Sequence, residues 1–106
     1  MNDYIELEGA DGVPLRFRLN SDLADLPAMA GNFVCVRRKD GALDVICAGA
    51  AGSLQSAAKA WKAAKDKGAE AMYVRLNVAG ATRTQELESL VERYRPPQVI
   101  SEGATG

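Results

Sequence analysis

The sequence contains no histidine, two cysteines and one tryptophan, and aromatic residues make up 6% of its 106 positions. Without imidazole the chain lacks the side chain that most often serves as a base near neutrality and as a metal ligand. Two cysteines are too few for a Cys-rich zinc site. No P-loop, no G-x-G-x-x-G, no G-x-S-x-G and no C-x-x-C occurs. No apolar run approaches the ~20 residues that cross a bilayer, and no segment has the form of a signal peptide, so a cytoplasmic protein without membrane contact is expected. A strong charge of one sign is missing as well: 13 basic residues face 14 acidic ones, for a net charge of −1. The total therefore supplies no long-range attraction to nucleic acid or anionic lipid.

What is present suits one small globular domain. Apolar residues are 47% and charged residues 25% of the chain, close to the average for folded soluble domains. A length near 100 residues leaves room for one core. The expected organisation is a single domain over 1–100, with an N-terminal hairpin at 3–19 and a main body at 27–98, followed by a loose tail over 101–106. No internal repeat is visible. The acids gather early: residues 1–30 carry six against Arg16 and Arg18, whereas the rest of the chain carries eight against eleven bases.

Residues 4–7 and 15–19 alternate apolar with polar around the turn-rich Gly9-Ala10-Asp11-Gly12, the pattern of a hairpin with one wet face. Asn20 to Ala30 holds breakers and caps and fits at most a short helical turn. Phe33–Arg38 and Leu43–Ala48 are β-rich runs around Asp40-Gly41, a strong two-residue hairpin signal. Both faces of these strands are largely apolar, which predicts cover on both sides. That turn pairs positions whose numbers sum to 81, which places Cys35 and Cys47 on opposite faces, out of disulfide reach. Both are expected as buried free thiols.

Residues 53–67 read as a helix with Leu54, Ala57, Ala58, Trp61 and Ala64 on one arc, capped by Ser53 and ended by Gly68. Lys59 and Lys62 lie off that arc, on a solvated face. Residues 72–78 alternate as a strand whose polar side carries Tyr73, Arg75 and Asn77. A second helix is expected from Thr82, with a capping box to Gln85 and an apolar stripe of Leu87, Leu90, Val91 and Tyr94, stopped by Pro96-Pro97. Glu86, Glu88 and Glu92 are read as its solvated face. The order is hairpin, connector, hairpin, helix, strand, helix. It predicts an α+β fold with a small antiparallel or mixed sheet and two main helices packed on it.

That order over residues 27–98, with Gly31-Asn32-Phe33, then Cys47-Ala48-Gly49 leading to Leu54, then Leu87-Glu88-Ser89-Leu90-Val91 before Tyr94-Arg95-Pro96, resembles the GIY-YIG nuclease superfamily. The resemblance implies a domain built for metal-assisted phosphodiester hydrolysis. It carries over the scaffold and drops the chemistry. Gly31 and Gly49 match, and Phe33 keeps the ring of the first tyrosine without its hydroxyl. The second tyrosine falls on Cys47, the arginine on Ala57, the metal-binding glutamate on Leu87, and the closing asparagine on Gln98 or Val99.

The expectation is therefore a non-catalytic GIY-YIG-like interaction module with no catalytic residue, metal or cofactor. Phe33, Tyr73, Arg75, Asn77 and Arg83 are its candidate binding residues. Arg83 lies on the same helical arc as Leu87 and is expected to point inward. A protein partner is preferred over nucleic acid, and a homodimer through the exposed edge of the N-terminal hairpin is a further expectation. The alternative is an active metal-dependent DNA endonuclease with its carboxylate displaced to Glu86 or Glu88 and its cation to Arg75 or Arg83.

Overall fold

The structure is a computed structural model that describes residues 2–20 and 22–102. Six strands form one mixed sheet: β1 (Tyr4–Glu8), β2 (Pro14–Asn20), β3 (Gly31–Lys39), β4 (Ala42–Ala51), β5 (Ala71–Leu76) and β6 (Gln98–Glu102). Helix α1 (Ala57–Asp66) joins β4 to β5, and α2 (Gly80–Tyr94) joins β5 to β6. The sheet order is β1-β2-β5-β3-β4-β6, antiparallel except for the parallel pairing of β4 with β6. The fold class is α+β, as the order of elements predicts. No helix among the described residues is long and apolar enough to cross a membrane.

The two-sided apolar character of β3 and β4 has a direct cause, because a helix covers each face of the sheet. Phe33, Cys35, Ile46, Cys47, Met72 and Val74 pack with Leu54, Ala57, Ala60 and Ala64 in the core beneath α1. Val34, Val36, Val45, Ala48 and Tyr73 pack with Phe17, Leu87 and Leu90 in the core beneath α2. Period-2 alternation along β3 thus feeds two separate cores. The small side chains of Ala57, Ala60 and Ala64 form the buried face of α1.

Local chemistry explains the termini, with two departures from expectation. Asp40 (φ 53°) and Gly41 (φ 80°) form the tight β3–β4 turn, and the φ > 0 at both positions is what an Asp-Gly pair supplies. The segment Leu54–Ser56 is a 3-10 turn, and α1 proper begins only at Ala57, with no side-chain cap from Ser53. Helix α2 begins at Gly80, two residues before Thr82, and the expected capping box is not formed. The short turn expected between Asn20 and Ala30 is the 3-10 segment Leu23–Asp25, whose N-cap Asp22 accepts from the Ala24 N–H.

Three placements lie beyond the local pattern. The N-terminal hairpin extends the main sheet, through β2 along β5. Residues 98–102, whose end was expected to begin a loose tail, form β6 alongside β4; the remainder of that tail, 103–106, lies outside the described residues. Finally, the β3–β4 register runs from Lys39 opposite Ala42 to Val36 opposite Val45 and then slips by one, leaving Ile46 unpaired and Cys35 opposite Cys47. This β-bulge corrects the expectation that the thiols point to opposite faces. Both are free, wholly buried and on the α1 side. One extra residue inverts the facing of everything beyond it.

Candidate functional site

Alternation along β5 sends Tyr73 and Arg75 toward the α2 side, with Asn77 just past the strand end, and the same rule sends Asn32 there from β3, where it stands directly opposite Arg75. On α2, Arg83, Glu86, Leu87 and Leu90 share the buried stripe, an i, i+3, i+4, i+7 series. The polar members meet at the end of the sheet where β5 runs into α2. The Asn32 side-chain amide, wholly buried, donates to the Arg83 carbonyl at 3.0 Å. The Asn77 amide donates to Asn32 Oδ1 and to Glu86 Oε1, each at 3.0 Å. Arg75 Nε donates to the same Glu86 oxygen at 2.9 Å, forming an ion pair whose carboxylate side chain is 11% exposed.

Arg83 closes the cluster. Its guanidinium Nη1 donates to the carbonyls of Asn77 at 3.0 Å and Val78 at 3.1 Å, the two residues that lead into α2. The helix has no side-chain N-cap, so this link fastens its first turn to the preceding chain. Arg75 reaches the other way, with Nη1 at 3.4 Å from the Arg16 carbonyl of β2. Among the described residues no buried side-chain nitrogen or oxygen lacks a hydrogen-bond partner. The cluster is thus a closed clasp between β3, β5 and α2, with its carboxylate occupied by two donors and its inner arginine by two carbonyls.

The candidate residues are placed unequally. Arg75, Asn77 and Arg83 converge, and Arg83 points inward as the helical arc predicts. Phe33 and Tyr73 have no exposed surface and sit in the two cores on opposite faces of the sheet; the Tyr73 hydroxyl donates to the Asn2 carbonyl at 2.6 Å. Glu86 corrects the expectation of a solvated carboxylate, being only 9% exposed. Asn32 joins the cluster from outside the candidate set. The signal for Glu86 was available in its spacing, three residues after Arg83 and four before Leu90. The signal for Asn32 was a lone amide within an otherwise apolar strand. Leu87, onto which the GIY-YIG resemblance carries a metal-binding glutamate, is 5% exposed within the α2 core. Among the described residues no three His, Cys, Asp or Glu side chains gather as a metal-binding group.

A different surface is open. Helix α1 covers β3, β4 and part of β5 but leaves the outer half of the same sheet face bare. There Tyr4 and Glu6 of β1, Arg16 and Arg18 of β2, and Leu76 of β5 lie at the surface, with Tyr4 48% and Leu76 54% exposed. The Arg16 guanidinium stacks over the Tyr4 ring at 4.1 Å from its centre. Three depressions of about 350, 480 and 260 Å³ adjoin here. The first two share Tyr4 and Arg18, and the last two share Leu19 and Asn20, so they run as one trough along β2 to Trp61 of α1. Comparison with protein-family models, curated proteins and solved structures finds no match to this chain.

Proposed function

We propose that this chain is a non-catalytic, GIY-YIG-like interaction module that binds an extended segment of a partner protein in the trough along β2. The observation that carries the reading is the trough itself: shallow, elongated, bordered by Tyr4 on one side and Trp61 on the other, and left bare by both helices. Exposed aromatic and aliphatic side chains beside arginines are what protein interfaces enrich. Its lining carries both signs, with Asp3, Asp25 and Glu70 among Arg16, Arg18 and Arg75. A polyanion would meet carboxylates at every step, so the surface suits a polypeptide better than a phosphate backbone.

The family reading is supported by the order strand, strand, helix, strand, helix over residues 31–94, and the non-catalytic reading by the filled polar clasp and the buried Leu87. A different chain is a better partner than a second copy along the β1 edge. Full antiparallel overlap of two β1 strands sets Glu6 opposite its own counterpart, and like charges facing each other destabilise a strand pair.

The test is site-specific photo-crosslinking in cells, with p-benzoylphenylalanine in place of Tyr4 and, as the reference position, in place of Glu88 on the exposed side of α2. Protein adducts are expected from position 4, absent from position 88, and reduced at least fivefold by Arg18→Glu. Adducts of nucleic acid, or equal adducts from both positions, would overturn the reading. Branched and linear DNA incubated with the chain and Mg²⁺ or Mn²⁺ is expected to stay intact; cleavage lost in Glu86→Gln would establish the displaced-site nuclease instead.

A further inference from the structure

Cys35 and Cys47 stand directly opposite each other on the two longest, most buried strands of the sheet. Opposed residues of an antiparallel pair have Cα atoms about 4.5 or 5.5 Å apart, depending on the ladder position. Both values fall inside the ~4.4–6.8 Å that a disulfide spans. Both side chains point into the α1 core and neither has exposed surface. The β-bulge that brings them together also leaves Ile46 without a ladder partner, a local break in the hydrogen bonding around the pair.

We infer that Cys35 and Cys47 are an oxidisable dithiol that hydrogen peroxide closes into a cross-strand disulfide. The size of the oxidant follows from the burial: a peroxide is little larger than water, whereas a glutathione disulfide has no approach to a sulfur without exposed surface. The order of attack follows from the surroundings of the two sulfurs. The facing Cys35 thiol holds Cys47 below the usual thiol range, against the opposing effect of burial, and the Lys67 ammonium lowers it further. The same facing arrangement, together with burial, pushes Cys35 up. On its other side Cys47 faces Gln98 of β6. The Gln98 amide donates to the Ala60 carbonyl at 3.1 Å, and its oxygen accepts from Lys67 Nζ at 3.4 Å. Gln98 thereby tethers the lysine near the pair.

The Cys47 thiolate attacks one peroxide oxygen, so that an S–O bond forms and the O–O bond breaks. The hydroxide released takes up the proton that left Cys47 and becomes water. The Cys35 sulfur then attacks the Cys47 sulfenic sulfur; the S–S bond forms, the S–O bond breaks, and the hydroxide leaves as a second water with the Cys35 proton. Two thiols are oxidised by two electrons and one peroxide is reduced to two waters. Lys67 is a positioning residue, acting through the charge it sets beside Cys47.

The test uses the full chain, reduced, desalted and treated with hydrogen peroxide, then alkylated in denaturant and weighed intact. The wild type is expected to lose two hydrogens per chain and to escape alkylation at both cysteines. In Cys35→Ser, peroxide treatment followed by unfolding in denaturant that contains a dimedone reagent is expected to trap a sulfenic acid at Cys47. Lys67→Met is expected to slow closure at least threefold with the same end product. Oxidised glutathione is expected to leave the native chain unmodified over the same time. Two alkylatable thiols after peroxide, oxygen addition without an S–S bond, a disulfide between chains, closure by glutathione disulfide as fast as by peroxide, or an unchanged rate in Lys67→Met would each overturn the proposal. The wild-type mass needs no variant to fold.

Discussion

Asn32→Asp is expected to destabilise the protein by about 3–5 kcal/mol, the range for leaving a charge buried without a partner. Asn32 is wholly buried, donates to the Arg83 carbonyl and accepts from Asn77. An aspartate there loses the donor and sets a second carboxylate one amide away from Glu86. Asn32→Ala removes the same hydrogen bonds without adding charge and is expected to cost about 2 kcal/mol, as unpaired buried groups do. Urea denaturation of both variants, with and without Mg²⁺, checks the comparison. If the aspartate variant is no less stable than the alanine variant, or gains stability from Mg²⁺, then the clasp has room for a cation and is not closed.

Gly49→Ala is expected to cost about 3 kcal/mol, the upper part of the range for overpacking a tight core. Gly49 lies directly opposite Phe33, and a methyl group there would meet the Phe33 ring, with Cε2 at 2.7 Å and Cζ closer. The ring is wholly enclosed and has nowhere to turn. An aromatic laid across a glycine on the neighbouring strand is a recognised way of covering a bare stretch of sheet. The double variant Gly49→Ala/Phe33→Leu tests this cause, because the smaller side chain vacates the space. The two changes are expected to cost at least 1 kcal/mol less together than the sum of their separate effects, a coupling of the size found between residues in contact. Additive effects, measured by thermal and urea unfolding, would remove the ring as the explanation.

The same reasoning gives the scaffold glycines of the GIY-YIG resemblance a reason in this chain. A Cβ at Gly31 would press on the Arg75 backbone carbonyl and come within 2.8 Å of a Leu54 methyl carbon. Gly31 and Gly49 are thus required by strand and ring contacts whether or not any chemistry takes place nearby. Glycine at these two positions is a demand of the packing and says nothing of catalysis. Cys47, Ala57 and Leu87, the positions onto which that resemblance carries catalytic side chains, are all buried among hydrocarbon.

The clasp contrasts with the trough in what each can offer a ligand. Arg75 and Arg83 are the candidate cations for a phosphate, yet one is held by Glu86 and the other by two backbone carbonyls. Releasing either would leave buried acceptors unpaired, which costs about as much as the hydrogen bonds that a ligand could return. Arg16 and Arg18 on β2 face solvent and carry no such penalty.

Period and turn chemistry determined, from the sequence alone, the α+β class, the two hairpins, the placement of both helices within a few residues, the double-sided burial of β3 and β4 and the inward direction of Arg83. These are local properties, since alternation and helical arcs are set by residues within a turn or two of one another. Only the tertiary structure decided the rest. Glu86 changes from solvated to buried because Arg75 and Asn77 arrive from another element, and Asn32 becomes a keystone because Arg83, 51 positions later, presents its carbonyl. The bulge at Ile46, the fusion of the N-terminal hairpin to β5 and the pairing of β6 with β4 depend on which distant backbone supplies the next hydrogen bond. A side-chain period repeats identically for every register that shifts by two, so the pattern names a strand's faces without naming its neighbours. Here that choice of neighbours brought two thiols face to face and left one stretch of sheet uncovered.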